Sequence, residues 1–179
     1  MHVLYANKNM IKLFVCRICG EPYLGGGISD CPFCGAPLTY LRPVEEFEEI
    51  WDVKISEKET KDLNETLKLE VNATSFYEKV SRAEKRYSKY NRLFKQLARV
   101  EKEHVVVACK FLKKDFPELF GEDAKGLGED LKRTKELEQE AIGKYKVFLK
   151  NAKSTKLKHF YTALIHAEEG HDEIVSREI

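Results

Sequence analysis

The sequence carries no surplus of either charge: 31 basic residues stand against 30 acidic ones, a net of +1 over 179 residues. No stretch gathers Lys and Arg into a block with interleaved aromatics, so nothing in it is built to track a phosphate backbone. Long apolar runs are missing as well. The longest are on the scale of Val105 to Cys109, far short of the roughly 20 residues that a membrane-spanning helix needs. Met1 to Val15 holds neither an apolar signal-peptide core nor a small-residue cleavage site. These absences argue against nucleic-acid and membrane partners and set the expectation of a cytoplasmic protein. Proline is scarce and unevenly spread, with four of the five before residue 45 and only Pro117 beyond it. Cysteine is limited to five, four of them in two tight pairs. That usage suits metal ligation in a reducing compartment better than a disulfide framework.

The proline distribution marks a change of composition. Residues 1–44 combine most of the Cys and Pro with a Gly25-Gly26-Gly27 turn, the profile of a small loop-rich module. Residues 45–55 read as a linker, and residues 56–179, rich in Lys, Glu, Leu and Ala, as a helical domain. Ser56 and Glu59 have capping-box spacing, in which the hydroxyl accepts from the third helical N–H while the Glu reaches back, so a helix should start there. Helices are predicted at 57–87, 90–114, 128–151 and 154–177. Pro117, Gly121, Gly126 and Gly128 break the chain between the second and third. That break can span on the order of 40 Å if extended, enough to run the length of a bundle. The other two connections are short, which predicts two antiparallel hairpins joined by a long crossover.

The two hairpins repeat each other. Glu70 is followed by Ala73 and Tyr77, and Glu138 by Ala141 and Tyr145, at an offset of 68 residues. Leu97, Glu101 and His104 recur as Leu164, Glu168 and His171 at an offset of 67, with Phe94 and Tyr161 each seven residues before the Glu. Such a repeat implies a pseudo-twofold bundle whose repeated positions meet at the axis. It also places ionisable groups on apolar stripes: Glu70 among Leu63, Leu67, Ala73 and Val80, and Glu101 with His104 among Leu97, Ala108 and Phe111. A buried ionised carboxylate must shift its pKa, find a cation or bind metal. Four Glu and two His from four helices, with no Lys or Arg repeated beside them, supply a ligand set for two divalent cations. On the third helix Glu136, Glu138 and Glu140 compete, but Glu138 alone obeys the repeat and lies in line with Leu131, Tyr145 and Leu149. Glu138 is therefore the predicted ligand. Tyr77 and Tyr145 are either core tyrosines or donors to the ligating carboxylates.

The second motif is Cys16-Arg17-Ile18-Cys19-Gly20, answered by Cys31-Pro32-Phe33-Cys34-Gly35. Two Cys-x2-Cys knuckles converge four thiolates tetrahedrally, and the Gly after each pair permits the turn that aims N–H groups at sulfur. The spacing does not choose between zinc and a single iron. Cys109 is left over as a small buried hydrophobe. His2, His159 and His166 have no repeated partner and read as surface or packing residues.

Cys16 to Pro37, closing on Cys-Pro-Phe-Cys-Gly-Ala-Pro, resembles the rubredoxin module of rubrerythrins, and residues 56–179 resemble their ferritin-like di-iron domain. The resemblance implies a mostly α fold, a ferritin-like four-helix bundle with a small N-terminal rubredoxin-like four-cysteine module. It implies one iron on Cys16, Cys19, Cys31 and Cys34, and a di-iron centre on Glu70, Glu101, His104, Glu138, Glu168 and His171. It further implies a peroxidase that reduces hydrogen peroxide, or dioxygen, to water with electrons from an NAD(P)H-dependent rubredoxin-type reductase. A homodimer or higher homo-oligomer belongs to the same expectation, one subunit's rubredoxin serving the partner's di-iron site, with hairpin swapping in some members. Two departures stand out. The module is N-terminal where many rubrerythrins carry it at the other end, and Ala141 stands where typical members place a further Glu implicated in a redox-linked shift of one iron. The six-ligand site that remains is closer to simpler ferritin-like oxidases. Two rivals stay open, an iron-oxidising and iron-handling protein with a structural zinc ribbon, and a non-catalytic zinc-ribbon adaptor. Manganese in the bundle is also open.

Overall fold

The computed structural model describes residues 12–179. His2 and the first eleven residues of the stretch read for a leader lie outside the described residues. Four long helices follow a small sheet: α1 (Glu57–Ala83), α2 (Lys89–Leu112), α3 (Leu127–Asn151) and α4 (Thr155–Ser176). Local chemistry sets their starts. Ser56 and Glu59 form the expected capping box at α1, Ser88 caps α2 through the Asn91 N–H, and Ser154 caps α4 through the Leu157 N–H. α3 starts at Gly126 without a side-chain cap, and the Asp130 carboxylate takes the Lys125 and Gly126 N–H groups instead.

The first helix ends four residues before the predicted boundary, at Ala83 rather than residue 87. Glu84, Lys85 and Arg86 offer no apolar group to the core, and Tyr87 turns the chain at φ 65°. Asn91 fastens the turn, accepting the Tyr87 N–H and donating to the Ser81 carbonyl. The crossover from α2 to α3 lies along α1, where Lys79 Nζ donates to the Gly121 carbonyl at 2.7 Å and Leu119 packs near Val71 and Val105. No helix among the described residues is long and apolar enough to cross a membrane.

In the N-terminal part, β1 (Leu13–Cys16) pairs antiparallel with β2 (Pro22–Leu24) on one side and β3 (Leu41–Pro43) on the other. This sheet is not a satellite with its own core. Cys16, Ile18 and Cys19 share one apolar cluster with Val107 and Phe111 of α2 and Phe160 and Leu164 of α4. Ile50, 1% exposed, joins the same cluster, and burying a side chain of that size contributes about 2 kcal/mol. Within residues 45–55, Ile50 thus packs on the bundle with Trp51, Val53 and Ile55 partly buried against the same cluster, while the acids Glu45, Glu46, Glu48 and Glu49 stay exposed.

Candidate metal centres

The knuckles form first from their turns. The Gly20 N–H donates to the Cys16 carbonyl at 2.8 Å and the Gly35 N–H to the Cys31 carbonyl at 2.9 Å, with both glycines at positive φ of 86° and 67°. A β-carbon is disfavoured in that conformation. Cys16 and Cys34 Sγ lie 3.7 Å apart, and Cys19 and Cys31 Sγ 3.8 Å. Those separations are far too long for disulfides, and all five cysteines are free. They match the edge of a regular tetrahedron whose metal–sulfur bonds are about 2.3 Å, which is about 3.8 Å. The thiols cannot all ionise together. Hydrogen bonds from neighbouring cysteines hold Cys16 and Cys31 below the usual thiol range, while those same contacts push Cys19 and Cys34 up. A cation inside the tetrahedron removes that conflict, so the four residues fit a metal.

In the bundle all six predicted ligands converge and are buried. Each hairpin contributes one half. His104 Nδ1 lies 3.4 Å from Glu70, while His171 Nδ1 lies 3.7 Å from Glu138. Glu101 and Glu168 are common to both halves. Glu101 reaches His104 at 2.8 Å with one oxygen and His171 at 2.9 Å with the other; Glu168 does the same at 3.3 and 3.0 Å. Glu138 is 3% exposed, whereas Glu136 and Glu140 face solvent, paired with Arg133 and Lys144. Of the three acids that competed on this helix, Glu138 is thus the one inside the bundle.

The tyrosines act crosswise. Tyr77 of α1 donates to Glu138 of α3 at 2.5 Å, and Tyr145 of α3 donates to Glu70 of α1. Each phenol occupies one oxygen of a lone Glu on the other helix. The pairing of 70 with 145 and 77 with 138 also shows that α1 and α3 run antiparallel. Burial and the adjacent carboxylate push both phenols well above their usual range, so they stay protonated donors.

Charges in this cluster are balanced by protons when no metal is considered. Burial, reinforced by Glu168, pushes Glu138 up to about 8, and burial lifts Glu70 well above the carboxylate range. Burial also lifts Glu101, but His171 and His104 outweigh it and hold that carboxyl low. Burial depresses both imidazoles, yet Glu70 and Glu168 around His104, and Glu101 around His171, raise them well above their usual range. Glu101 Oε1 and Glu168 Oε1 remain buried without a hydrogen-bond partner, although each sits at ion-pair distance from an imidazole. Orphaned carboxylate oxygens that face two imidazole nitrogens are what two divalent cations would satisfy, so this site also fits metal.

The two centres touch. His104 turns Nδ1 to the carboxylates and Nε2 to the Cys34 carbonyl, 2.9 Å away. Gly35 allows this approach, since a Cβ there would stand 2.9 Å from the Ala167 Cβ on α4. By sequence His159 and His166 read only as surface or packing residues and Lys110 is not singled out, yet the three seat the module. His166 Nε2 meets Asp30 at 2.6 Å, His159 packs edge-on against Tyr40 at 5.6 Å, and Lys110 donates to the Cys19 carbonyl at 2.7 Å. None belongs to the repeat, and no spacing signals them.

Two helical hairpins joined by a long crossover, with a lone Glu and a Glu-x2-His pair in each, define the class of ferritin-like two-metal carboxylate proteins. The model of the Rubrerythrin family matches residues 61–179. The chain belongs to the rubrerythrin family, and its bundle is that family's ferritin-like domain. The match starts inside α1, so the rubredoxin-like module stands on its own four-cysteine geometry. No curated protein and no solved structure matches the chain.

Proposed function

We propose that the chain reduces hydrogen peroxide to water at the bundle centre, with electrons delivered through its own four-cysteine centre. The observation that carries this reading is the 2.9 Å bond between His104 Nε2 and the Cys34 carbonyl. One hydrogen bond links the backbone carbonyl of a cysteine in one cluster to an imidazole of the other within a single chain. Iron among the thiolates would pass one electron at a time, and a di-iron pair in the bundle would supply paired Lewis acids and electrons as peroxide takes up two electrons and two protons to become two waters.

The rest falls to side chains. Glu101 and Glu168 span the two halves, and Tyr77 and Tyr145 hold one oxygen of Glu138 and Glu70 so that the other is left for a cation. A cavity of about 10 Å³ lies beside them, walled by Leu69 and Ala73 of α1 and by Leu137 and Ala141 of α3. That is room for about one water-sized molecule. Such a space excludes a protein reductant and leaves the bundle centre to the smallest molecules. Electrons therefore enter at the module, where Leu24 and Leu38 are exposed and suit an NAD(P)H-dependent rubredoxin-type reductase. The resemblance implies a relay across a dimer, but the His104–Cys34 bond supports a relay in cis whatever the assembly, for which a homodimer remains our expectation. Five free thiols suit a reducing cytoplasm.

Ala141 favours a second reading, iron oxidation and handling, because it lines the cavity where a further carboxylate would stand. A variant with Cys16→Ser and Cys19→Ser separates the two. It should oxidise its reduced bundle centre in a single turnover at near the parental rate, yet stall in steady state with reductase and NAD(P)H. If reduced protein reacts faster with dioxygen than with equimolar peroxide, and steady-state activity survives loss of the cysteines, iron oxidation takes the place of the peroxidase. A colourless protein holding one zinc that is lost with Cys16 removes the relay altogether.

A further inference from the structure

Lys110 belongs to α2, yet its ammonium lies on the first cysteine knuckle, 2.7 Å from the Cys19 carbonyl and 4.2 Å from the centre of the Trp51 ring. Three parts of the chain meet at this point: the knuckle, the stretch before α1, and α2. Gly20 leaves the space, since a Cβ there would stand 2.8 Å from Trp51 Cη2 and 3.6 Å from Lys110 Nζ. Among the described residues the ammonium is engaged by a carbonyl and an aromatic face rather than by a carboxylate, so its charge is not cancelled locally. The acids on this side are Glu21 and Glu103. Burial and Glu21 push the half-buried Glu103 carboxyl up, while Lys110 pulls it down. None of the four thiols needs Lys110 as a ligand or a hydrogen-bond donor.

We infer that Lys110 is a positioning residue for the four-cysteine centre, whose charge favours the centre's reduced form and whose contacts tighten the module's seat on the bundle when that centre is reduced. The inference rests on iron occupying the site, as in the proposed function. One-electron reduction by an external donor makes and breaks no bond. It takes a four-thiolate ferric site from one net negative charge to two. A partly buried cation beside the knuckle attracts the second charge more strongly than it would in water. The coupling is reciprocal: if a docked Lys110 favours reduction, then reduction favours docking by the same free energy. The module would be held most firmly against His104 when it carries the electron to be passed on.

Lys110→Met removes the charge and keeps an unbranched stem that can pack on Trp51, while Lys110→Arg keeps the charge. The midpoint of the four-cysteine iron is read from its visible thiolate absorption. The emission of Trp51, the chain's single tryptophan, reports docking in the oxidised and reduced states. In Lys110→Met the midpoint should fall, so that at the parental midpoint the oxidised-to-reduced ratio rises about threefold or more, and the change in Trp51 emission on reduction should shrink. Lys110→Arg should restore most of both. An unchanged or raised midpoint in Lys110→Met, or a Lys110→Arg variant that behaves like Lys110→Met, overturns the inference. Should the isolated protein carry zinc there, the relay fails, and the same comparison on protein reloaded with iron still decides the role of Lys110.

Discussion

The two hairpins carry the same ligand pattern but do not sit in the same surroundings. In the first, His104 is 1% exposed and its outer nitrogen is bound to the Cys34 carbonyl; in the second, the side chain of His171 is 10% exposed. Repetition builds a symmetric cage, and the module breaks that symmetry by covering one half. The aromatic position seven residues before each shared Glu keeps the symmetry in its packing, Phe94 on Tyr77 and Tyr161 on Tyr145, and differs only in the hydroxyl that Tyr161 carries. Two metal positions with matching ligands can thus differ in their route to an electron donor without differing in donor chemistry.

The largest expected effect tests whether the halves share ligands. Glu168→Ala removes a carboxylate that faces both imidazoles, so both bundle metals should be lost. Glu138→Ala should cost mainly the metal on the His171 side, and Glu140→Ala should leave metal content near parental. Metal analysis of the three purified variants decides it. Loss of metal in Glu140→Ala but not in Glu138→Ala would show that the helical register is wrong.

Proton release tests the balance of charge next. Glu70 and Glu138 are held up by burial, Glu138 to about 8, and both imidazoles are raised by their carboxylate neighbours. Each of these groups therefore keeps its proton to a higher pH than it would in water until metal displaces it. Loading two divalent cations at pH 7 should release protons, and affinity should fall as the pH drops. Indicator titration in weak buffer measures this. Release close to zero would mean that the carboxylates are already ionised in the metal-free protein.

The smallest effect concerns the staple between the halves. Glu59 accepts from the Ser56 N–H at the start of α1 and from the Lys153 and Ser154 N–H groups at the turn between α3 and α4. Burial works against it, but these donors win and hold the carboxyl down to about 2. A depressed folded-state pKa contributes stability above the ordinary carboxylate value, and that contribution is lost as the pH falls towards 2. Glu59→Gln should cost about 2 kcal/mol at pH 7, lowering Tm by roughly 5 °C, and little at pH 2. Equal Tm differences at both pH values would contradict the assignment.

Much of the bundle was legible because periodicity and repetition act within single helices. Glu70, Glu101 and His104 announced themselves as charges on apolar stripes, and Ser56 with Glu59 announced a helix start. The tyrosine partners were less legible. Seven residues of helix rise about 10 Å, so Tyr77 cannot reach Glu70 and must find the Glu at its own level on α3. That level depends on the antiparallel register of two helices not adjacent in sequence. The end of α1 at Ala83 was misjudged because Lys85 and Arg86 suit a helix as well as a turn, and the Asn91 contacts decided it. The seat of the module was not legible at all, since Lys110, His159 and His166 each meet a partner more than 90 residues away with no repeat to mark them.

The central claim is that a chain's own module serves its own bundle. It is tested most directly by co-assembling two inactive variants, one with Cys16→Ser and Cys19→Ser and the other with Glu168→Ala, and following peroxide-dependent NAD(P)H oxidation in the presence of reductase. A relay in cis through Cys34 and His104 predicts that the mixed assembly stays as inactive as its components. Recovery of a substantial fraction of parental turnover would mean that electrons cross from one subunit's module to its partner's bundle, and the relay in cis would be wrong.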